Sequence, residues 1–516
     1  MRSEAVRQKI RPRWSVSSFL EKVFIQEKLN NVFGILLIGM IAAGFGYLIA
    51  TKTVMGLSLF ALVVGFFVVI ACMLNTELGL YINILYSFFA FAFARLLFPT
   101  VIQVGIVTDI LILATFLSLI VRRVNLRKSF NQFAQTPVVI AILLYVFFLL
   151  VELFNPYAHS FEGWFQTFRR FLGSVFILFF SYNVFTSYAK IRRFIAVLFT
   201  LCVITGLYGC IQQWHGYFDY EMRWLMADEH GFALININGE LRKISTMSDP
   251  TAYGILMAAC AVFFLILAVN QKKKLYMAIL VGGSIFMLLG MAYSGTRTAN
   301  AVLVAGIAVY ILLRLDHKGT RIFAIIAAFV FLGLLYAPIY GNATLNRFRS
   351  SFVGKEDASF NVREVNRHFI QPYIYKHPIG GGIGTAGAQG LRFNPGHYLA
   401  GFPPDSGYLK KALETGWIGL AFICILYYIT LRYGVKHYFR TRSKRYKIMY
   451  AACIASIFSF YLAEFPQEAI GQITDIVVYY PWIAMMLRMK YLDNQGEGNE
   501  EGGELLPESR EAAVES

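Results

Sequence analysis

Two arginines stand directly beside long apolar segments, in short stretches rich in small polar residues. Arg242 lies in LRKISTMSDP, which covers residues 241–250, and Arg297 lies in YSGTRTA, which covers residues 293–299. A guanidinium group presents a planar fork of donors that matches phosphate oxygens, so a pair of them is suited to bind a diphosphate at a membrane surface. The alternative is that each arginine reaches lipid headgroups or hydrogen-bonds the end of a neighbouring helix.

A glycine-rich stretch, HPIGGGIG, follows about 80 residues later at positions 377–384. It contains Gly380, Gly381, Gly382 and Gly384. Glycine adopts backbone conformations that other residues resist, and its N–H group can approach an anion closely. The pattern is equally typical of a tight turn, so both interpretations stay open.

Asp405 opens a second motif, PDSGYLKKALETGWIGL, at residues 404–420. We predict that it caps the N-terminus of a short amphipathic helix leading into the next apolar segment. A carboxylate at this place is also suited to accept the proton of a sugar hydroxyl as a general base. His397, eight residues upstream, is the second candidate base. Glu414 is expected to form a local salt bridge or cap.

The sequence predicts no metal site and no cofactor. The eight histidines are scattered, and all six cysteines lie inside apolar segments, where they are typical of small core residues. No Asp-x-Asp pair is present to hold a metal–sugar-nucleotide complex. Any glycosyl transfer by this chain is therefore expected to be metal-independent.

The composition indicates an all-α integral membrane protein. Of the 516 residues, 57% are hydrophobic and only 15% are charged, whereas a soluble protein carries roughly 25% charged residues. Apolar segments of about 17–22 residues recur along the chain, long enough to cross the hydrocarbon core as helices. We predict about fourteen transmembrane helices. The net charge of +17 is explained by basic loops on one side of the membrane, and nucleic-acid binding is not expected.

The basic clusters lie on every second loop, which predicts that both termini are cytoplasmic. The predicted organisation is a basic N-terminus (1–31), helices 1–11 (32–340), a large extracytoplasmic loop (341–416), helices 12–14 (417–490) and a disordered acidic tail (491–516). The large loop is expected to contain a helix at about residues 359–376. Residues 155–170 are expected to form a short helix in the membrane interface.

At these motifs the chain resembles the O-antigen ligase and polymerase superfamily. The resemblance rests on SGTR, on KHPIGGGIG and on DSGYL with ETGWIG, which follow one another around one large late loop. It covers about residues 287–431, and Arg242 with Asp249-Pro250 is similar to the family's earlier arginine motif. Ligase members generally place a histidine where this chain has Asp405. The aspartate is closer to the polymerase and exopolysaccharide branches.

The resemblance implies a glycosyltransferase in the bacterial cytoplasmic membrane. Its partners would be an undecaprenyl-diphosphate-linked glycan donor, a glycan or lipid acceptor and the surrounding lipids, and it would polymerise or ligate oligosaccharide on the outer face. Arg242 and Arg297 would bind the diphosphate, and direct displacement predicts inversion at the anomeric carbon. The alternative is a lipid-linked oligosaccharide flippase or another transporter, for which charged residues inside the helices would be expected.

Overall fold

The structure is a computed structural model that describes residues 32–97, 104–121, 126–237, 239–338, 341–353 and 358–495. The predicted N-terminal segment 1–31 and the predicted tail from residue 496 onward lie outside the described residues. Residues 491–494, which the sequence assigned to that tail, continue the last helix. The chain divides into two compact units, one up to Ile70 and one from Ala71 onward.

The first unit contains helix α1 (Val32–Thr51) and most of helix α2 (Thr53–Leu74). Gly34 is buried in α1. The apolar side chains of this helix are largely exposed. Such a surface is unfavourable in water and is matched by lipid chains, so α1 has the character of a membrane helix.

The second unit is built almost entirely of helices. Its helices on the N-terminal side are α3 (Thr76–Leu97), α4 (Gly105–Val121), α5 (Leu126–Ala134), α6 (Pro137–Val151), α7 (Phe161–Val184), α8 (Tyr188–Trp214), α9 (Asp219–Met226), α10 (Glu229–Ile235), α11 (Pro250–Val269) and α12 (Lys274–Tyr293). Those that follow are α13 (Arg297–Leu313), α14 (Lys318–Tyr336), α15 (Ala343–Val353), α16 (Ala358–Lys376), α17 (Gly387–Phe393), α18 (Gly407–Arg440), α19 (Lys444–Ala463) and α20 (Ile473–Asn494).

A 3-10 turn (Glu152–Phe154) follows α6, and a two-residue antiparallel pair, β1 (Asn236–Ile237) and β2 (Glu240–Leu241), precedes α11. Helix α11 forms the centre of the second unit, because 89% of its most apolar stretch is buried. It packs against α12, α13 and α19. Pro250 starts the helix, and the carboxylate of Asp249 accepts hydrogen bonds from the next two free N–H groups, so the helix begins at a defined residue.

The loops of the second unit gather at one end, which we call the loop face: residues 152–160, 215–249, 294–296, 377–406 and 464–472, as far as they are described. Hydrogen bonds join these loops across long stretches of sequence. The Asn155 side chain donates to the Ile379 carbonyl, and the Asn394 side chain accepts from the backbone of His159. The loop face is therefore one continuous surface rather than a set of separate turns.

The basic loops that follow α7, α11, α13 and α18 come together at the opposite end, as far as their residues are described. Arg314 donates to the Asn270 side chain, the Tyr438 hydroxyl donates to the Leu313 carbonyl, and Arg445 lies over the ring of Tyr188. These basic residues lie away from the loop face. This agrees with the sequence pattern, in which every second loop is basic and all such loops are expected on one side of the membrane. The orientation of the two ends in a membrane stays a prediction.

The all-α membrane architecture is confirmed. Within the described ranges, nine helices are long and apolar enough to cross a membrane, and three shorter apolar helices accompany them. Each of the fourteen predicted segments coincides with a helix over its described part, but the count of fourteen spans stays a prediction.

Three local predictions were wrong. Residues 161–170 do not form a separate interfacial helix, because α7 continues without a break to Val184. The helix in the second motif is capped by Ser406, whose hydroxyl accepts from the Leu409 N–H, and not by Asp405. Cys424 is exposed on the helical surface, whereas the other five cysteines are buried as predicted. The predicted helix at 359–376 is confirmed as α16.

Candidate functional site

The turn between α12 and α13 is surrounded by arginine side chains. Arg242 donates from Nε to the Ser294 carbonyl at 2.9 Å and from its terminal nitrogen to the Thr296 hydroxyl at 2.8 Å. Arg347 of α15 donates from Nε to the Gly295 carbonyl at 2.5 Å. Arg297 is the first residue of α13, directly after the same turn. We call Arg242, Arg297 and Arg347 the arginine cluster.

The three guanidinium groups influence one another electrostatically. Burial, and then the charge of Arg347, lowers the pKa of Arg242 to about 10. Burial, and then the charge of Arg297, lowers the pKa of Arg347. Because arginine side chains are positively charged in proteins, the cluster concentrates positive charge in a partly desolvated place. An anion with several oxygens would relieve this repulsion.

The N-terminus of α13 adds to the same positive potential. The Thr296 side chain accepts no hydrogen bond from the first turn of α13, so it does not neutralise the positive end of this helix. A cation in the first turn of a helix opposes the helix dipole, which makes the position of Arg297 locally unfavourable by about 0.3–1 kcal/mol. A helix N-terminus beside arginines is, by contrast, a favourable environment for phosphate.

The backbone that carries Arg242 is held in a strained conformation. Ser245 has a positive φ of 50°, which only glycine adopts readily. Its N–H donates to the Gln212 side chain, its hydroxyl donates to the Thr205 carbonyl, and its own carbonyl accepts from Arg95 at 2.6 Å. These contacts hold the chain three residues after Arg242. Arg95 lies in the last turn of α3.

Arg347 was missed by the sequence analysis. It lies in the stretch LNRFRSSF at the start of the large loop, 50 residues after Arg297. The available signal was an arginine in a predicted extracytoplasmic loop, which is the same argument that singled out Arg242 and Arg297. Nothing in the local pattern separated it from Arg349, whose guanidinium group bonds the carbonyls of Leu334 and Ala337.

The glycine-rich turn binds its own chain. The N–H groups of Gly381 and Gly382 donate to the carbonyls of Leu413 and Glu414, both at 2.8 Å. The Glu414 carboxylate then accepts from Gly384 at 3.2 Å. The anion approached by the turn is therefore the buried side chain of Glu414, and the tight-turn interpretation is the one that the geometry favours.

Close backbone contact explains two of the glycines. A Cβ on Gly380 would lie 2.4 Å from the Gly416 nitrogen, and a Cβ on Gly416 would lie 1.9 Å from the Pro378 carbonyl oxygen. Gly380 and Gly416 also have positive φ angles of 71° and 67°. The large loop is thus locked onto α18 through a crossing that only glycine permits.

Replacing Glu414 tests this lock. We expect Glu414→Ala to destabilise the loop face, because the N–H groups of Gly384 and Ala386 lose their acceptor at a cost of about 1–3 kcal/mol each. Glu414→Gln keeps an acceptor oxygen and is expected to lose much less. The measurement is thermal unfolding in detergent together with protease cleavage of the large loop. Equal stability of the two variants would contradict the role of Glu414 as the acceptor for these N–H groups.

Asp405 lies on the loop face, half-buried, with its carboxylate 3.9 Å from Nε of Arg363 in α16. No hydrogen bond or ion pair joins it to Arg242 or Arg347 among the described residues. Asp405 is accessible to a substrate, and its ion-pair partner in the described chain is Arg363.

His397 packs against the glycine-rich turn. Its Nδ1 accepts a hydrogen bond from the Leu399 N–H, so the proton of the neutral ring is assigned to Nε2. Burial, followed by the charges of His159 and His377, lowers its pKa. His397 is therefore neutral at pH 7, and Nε2 presents a donor. It also has no hydrogen bond or ion pair to Arg242 or Arg347 in the described chain.

A cavity of about 110 Å³ lies between helices α6, α7, α18 and α20. Its wall includes a group of tyrosines, and charged side chains line it as well. The tyrosines are Tyr145, Tyr427, Tyr479 and Tyr480, and the charged residues are Arg170, Lys410, Lys411, Glu414 and Glu468. Lys410 and Glu468 form an ion pair at 2.8 Å. Arg169, which precedes Arg170 in α7, pairs with Asp109 at 2.6 Å.

Among the described residues, no three histidine, cysteine or acidic side chains are grouped so that they could hold a metal ion. The polar groups of the loop face are instead arginines, carboxylates and amides. The chemistry that this set supports is the binding of an anion by the arginine cluster beside carboxylates that can accept protons or hydroxyl hydrogen bonds.

Comparison with known families confirms the predicted resemblance. Residues 282–424 match the family model described as O-antigen ligase. The matched segment includes Arg297, Arg347, the glycine-rich turn, His397 and Asp405, whereas Arg242 precedes it. No curated protein matches the chain. The chain is thus a multi-pass membrane protein with a segment of the O-antigen ligase type.

Proposed function

We propose that this chain is a membrane glycosyltransferase that polymerises or ligates oligosaccharide carried on undecaprenyl diphosphate. The observation that carries the proposal is the arginine cluster around residues 294–296, next to the uncapped N-terminus of α13. Two of its three arginines lie in the segment that resembles O-antigen ligase. A diphosphate leaving group needs this kind of concentrated, partly desolvated positive charge.

The reaction is a direct displacement. The hydroxyl oxygen of the acceptor attacks the anomeric carbon, the bond from that carbon to the phosphate oxygen breaks, and the diphosphate keeps the electron pair. Arg242, Arg297 and Arg347 stabilise the negative charge that develops on it. The hydroxyl proton passes to a base, for which Asp405 is the first candidate and His397 the second. Inversion at the anomeric carbon follows, and no metal ion takes part.

The proposed place is the outer face of the cytoplasmic membrane. The arginine cluster lies on the loop face, and the basic clusters lie at the other end of the second unit. Because basic loops stay in the cytoplasm, the loop face would be extracytoplasmic. Both termini would then be cytoplasmic.

The test is product analysis with purified protein in detergent and the host's own lipid-linked oligosaccharide. We expect a longer or ligated glycan, unchanged by a chelator, with inverted configuration at the new linkage by NMR. Catalysis needs no closed membrane, whereas transport does. A protein that makes no product in detergent but moves the lipid-linked donor across vesicle membranes would be a transporter, and the proposal would be wrong.

The two candidate bases can be compared directly. We expect Asp405→Asn to lower kcat by roughly 10²–10⁴-fold, the usual contribution of a general base. His397→Gln is expected to have the smaller effect, because Nδ1 of His397 is already occupied by the Leu399 N–H. Turnover of both variants is measured beside their thermal stability. If His397→Gln is the more severe of the two at equal stability, the order of the candidates is reversed.

A further inference from the structure

A second cavity, of about 160 Å³, lies at the loop face where α11 and α20 begin. It is lined by polar residues on most sides: Asp249, Thr251, Gln467, Glu468, Gln472 and Asp475, with Ala252, Ile255 and Ala469 completing the wall. Gln467, Glu468 and Gln472 are half-buried, whereas Asp475 is 2% exposed. We call this space the carboxylate cavity, with Asp475 as its buried wall.

Asp475 is the residue of this cavity that most needs a partner. Neither oxygen of its carboxylate accepts a hydrogen bond from any described residue of the chain. Glu468, by contrast, pairs with Lys410, and Asp249 accepts from the N–H groups of Thr251 and Ala252. A buried carboxyl group without hydrogen-bond partners is unfavourable whether or not it is ionised, so its presence points to partners supplied by a ligand.

The carboxylate cavity adjoins the arginine cluster. Asp249 lines the cavity, and its negative charge raises the pKa of Arg242. The Thr296 hydroxyl connects the two places, because it accepts from Arg242 and donates to the carbonyl of Pro250. A group joined directly to a diphosphate on the arginines would thus lie close to the cavity.

The residues that line the cavity indicate which kind of chemical group it can bind. Acidic side chains line this cavity and no basic side chain does, so it is unsuited to the diphosphate itself. The described residues offer no group that could hold a metal ion. Carboxylates and side-chain amides both accept hydrogen bonds from hydroxyl groups, and the amides also donate. The ligand that fits is neutral and carries several hydroxyl groups.

We propose that the carboxylate cavity binds the first sugar of the lipid-linked donor, with Asp475, Gln472 and Gln467 accepting hydrogen bonds from its hydroxyl groups. This inference rests on the proposed function. It adds a division of labour: the arginine cluster binds the diphosphate, and the cavity recognises the sugar attached to it.

The experiment compares two probes with the full-length protein in detergent: undecaprenyl diphosphate, which has no sugar, and the host's own lipid-linked oligosaccharide. We expect Asp475→Asn to weaken binding of the lipid-linked oligosaccharide by about 10-fold, because one of the two oxygens that accept from the sugar hydroxyl groups is replaced by an amide donor. Binding of undecaprenyl diphosphate is expected to change less than about twofold.

Thermal stability distinguishes a role of Asp475 in sugar binding from a role in maintaining the fold. Because Asp475 has no described partner, Asp475→Asn is expected to leave the thermal stability unchanged or raise it. Asp109→Asn removes another carboxylate of this unit, outside the cavity, and is the matched control, with unchanged binding of both probes. Gln472→Ala, at the half-buried rim, is a second variant should Asp475→Asn fail to fold, and is expected to show the same selective loss.

The outcomes are distinct. Equal binding of the oligosaccharide by wild type and both cavity variants, or an equal loss for both probes, would overturn the sugar subsite and leave the proposed function intact. A wild-type protein that binds neither probe would overturn the proposed function and this inference together. A loss confined to the sugar-bearing probe supports the inference.

Discussion

Arg297→Ala is expected to lower glycan transfer by about 10²–10³-fold, the usual effect of removing one group that stabilises charge in a transition state. Arg297 is half-buried at the N-terminus of α13, and its charge is felt by Arg347 across the turn. The substitution removes one of three cations from the place where the diphosphate charge would grow. Fold and stability should be kept, because a cation at a helix N-terminus is locally unfavourable.

The measurement is turnover of the lipid-linked oligosaccharide by purified variants in detergent. Arg297→Lys is expected to keep part of the activity, since it retains the charge and loses the planar fork of donors. Arg223→Ala is the matched control, because Arg223 is exposed and donates to the Asp219 carbonyl of its own helix. Normal product from Arg297→Ala would rule out the role assigned to the arginine cluster.

Gly416→Ala is expected to have the largest effect on stability. Gly416 has a φ of 67°, and an added Cβ would lie 1.9 Å from the Pro378 carbonyl oxygen and 2.6 Å from the Gly380 nitrogen. With a ψ of -175°, this backbone conformation is essentially restricted to glycine and costs about 1–3 kcal/mol for a residue with a Cβ. The collision with two backbone atoms adds to this, because neither can move without breaking the lock between the large loop and α18.

Gly396→Ala measures the cost of the positive φ angle without the collision with backbone atoms. Gly396 lies in the same loop with a φ of 92°, and an added Cβ there meets no atom within 4 Å. We expect a small loss of thermal stability for Gly396→Ala, and for Gly416→Ala a much larger one, with protease cleavage of the large loop and loss of turnover. Similar melting temperatures for the two variants would show that the backbone crossing has little energetic weight.

Both predictions concern places that the sequence had partly identified. Arg297 was singled out because an arginine beside an apolar segment on a predicted extracytoplasmic loop needs a reason, and this argument uses only residue type and position. It identified Arg242 equally well. Applied to every arginine of the large loop, it would also have included Arg347, but it does not distinguish Arg347 from Arg349.

The glycine-rich turn illustrates the limit of motif reasoning. The stretch 377–384 suggested an anion site or a tight turn, and the spacing did not decide between them. The structure favours the turn, because the N–H groups are taken up by Leu413 and Glu414, 30 residues away. Such a pairing depends on how the loop packs on α18 and leaves no signal in either stretch alone.

Asp475 could not be identified as a candidate site residue from a local sequence motif either. From the sequence it is an ordinary acidic residue at the start of the last helix, where the helix dipole favours a carboxylate. Its importance comes from what surrounds it: burial to 2% exposure and a cavity lined with Asp249 and Glu468. Neither property is visible without the contacts between α11, α20 and the loop that joins α19 to α20.

The membrane class, the helical architecture and the gathering of basic residues at one end were determined by the sequence itself. The length of an apolar segment against the thickness of a bilayer, and the place of lysine and arginine between such segments, are properties of the chain that no packing changes. The membership of the arginine cluster, the role of Glu414 and the carboxylate cavity were decided only by the tertiary structure. They depend on which distant helix ends meet, and that is set by side-chain packing over the whole second unit rather than by any local pattern.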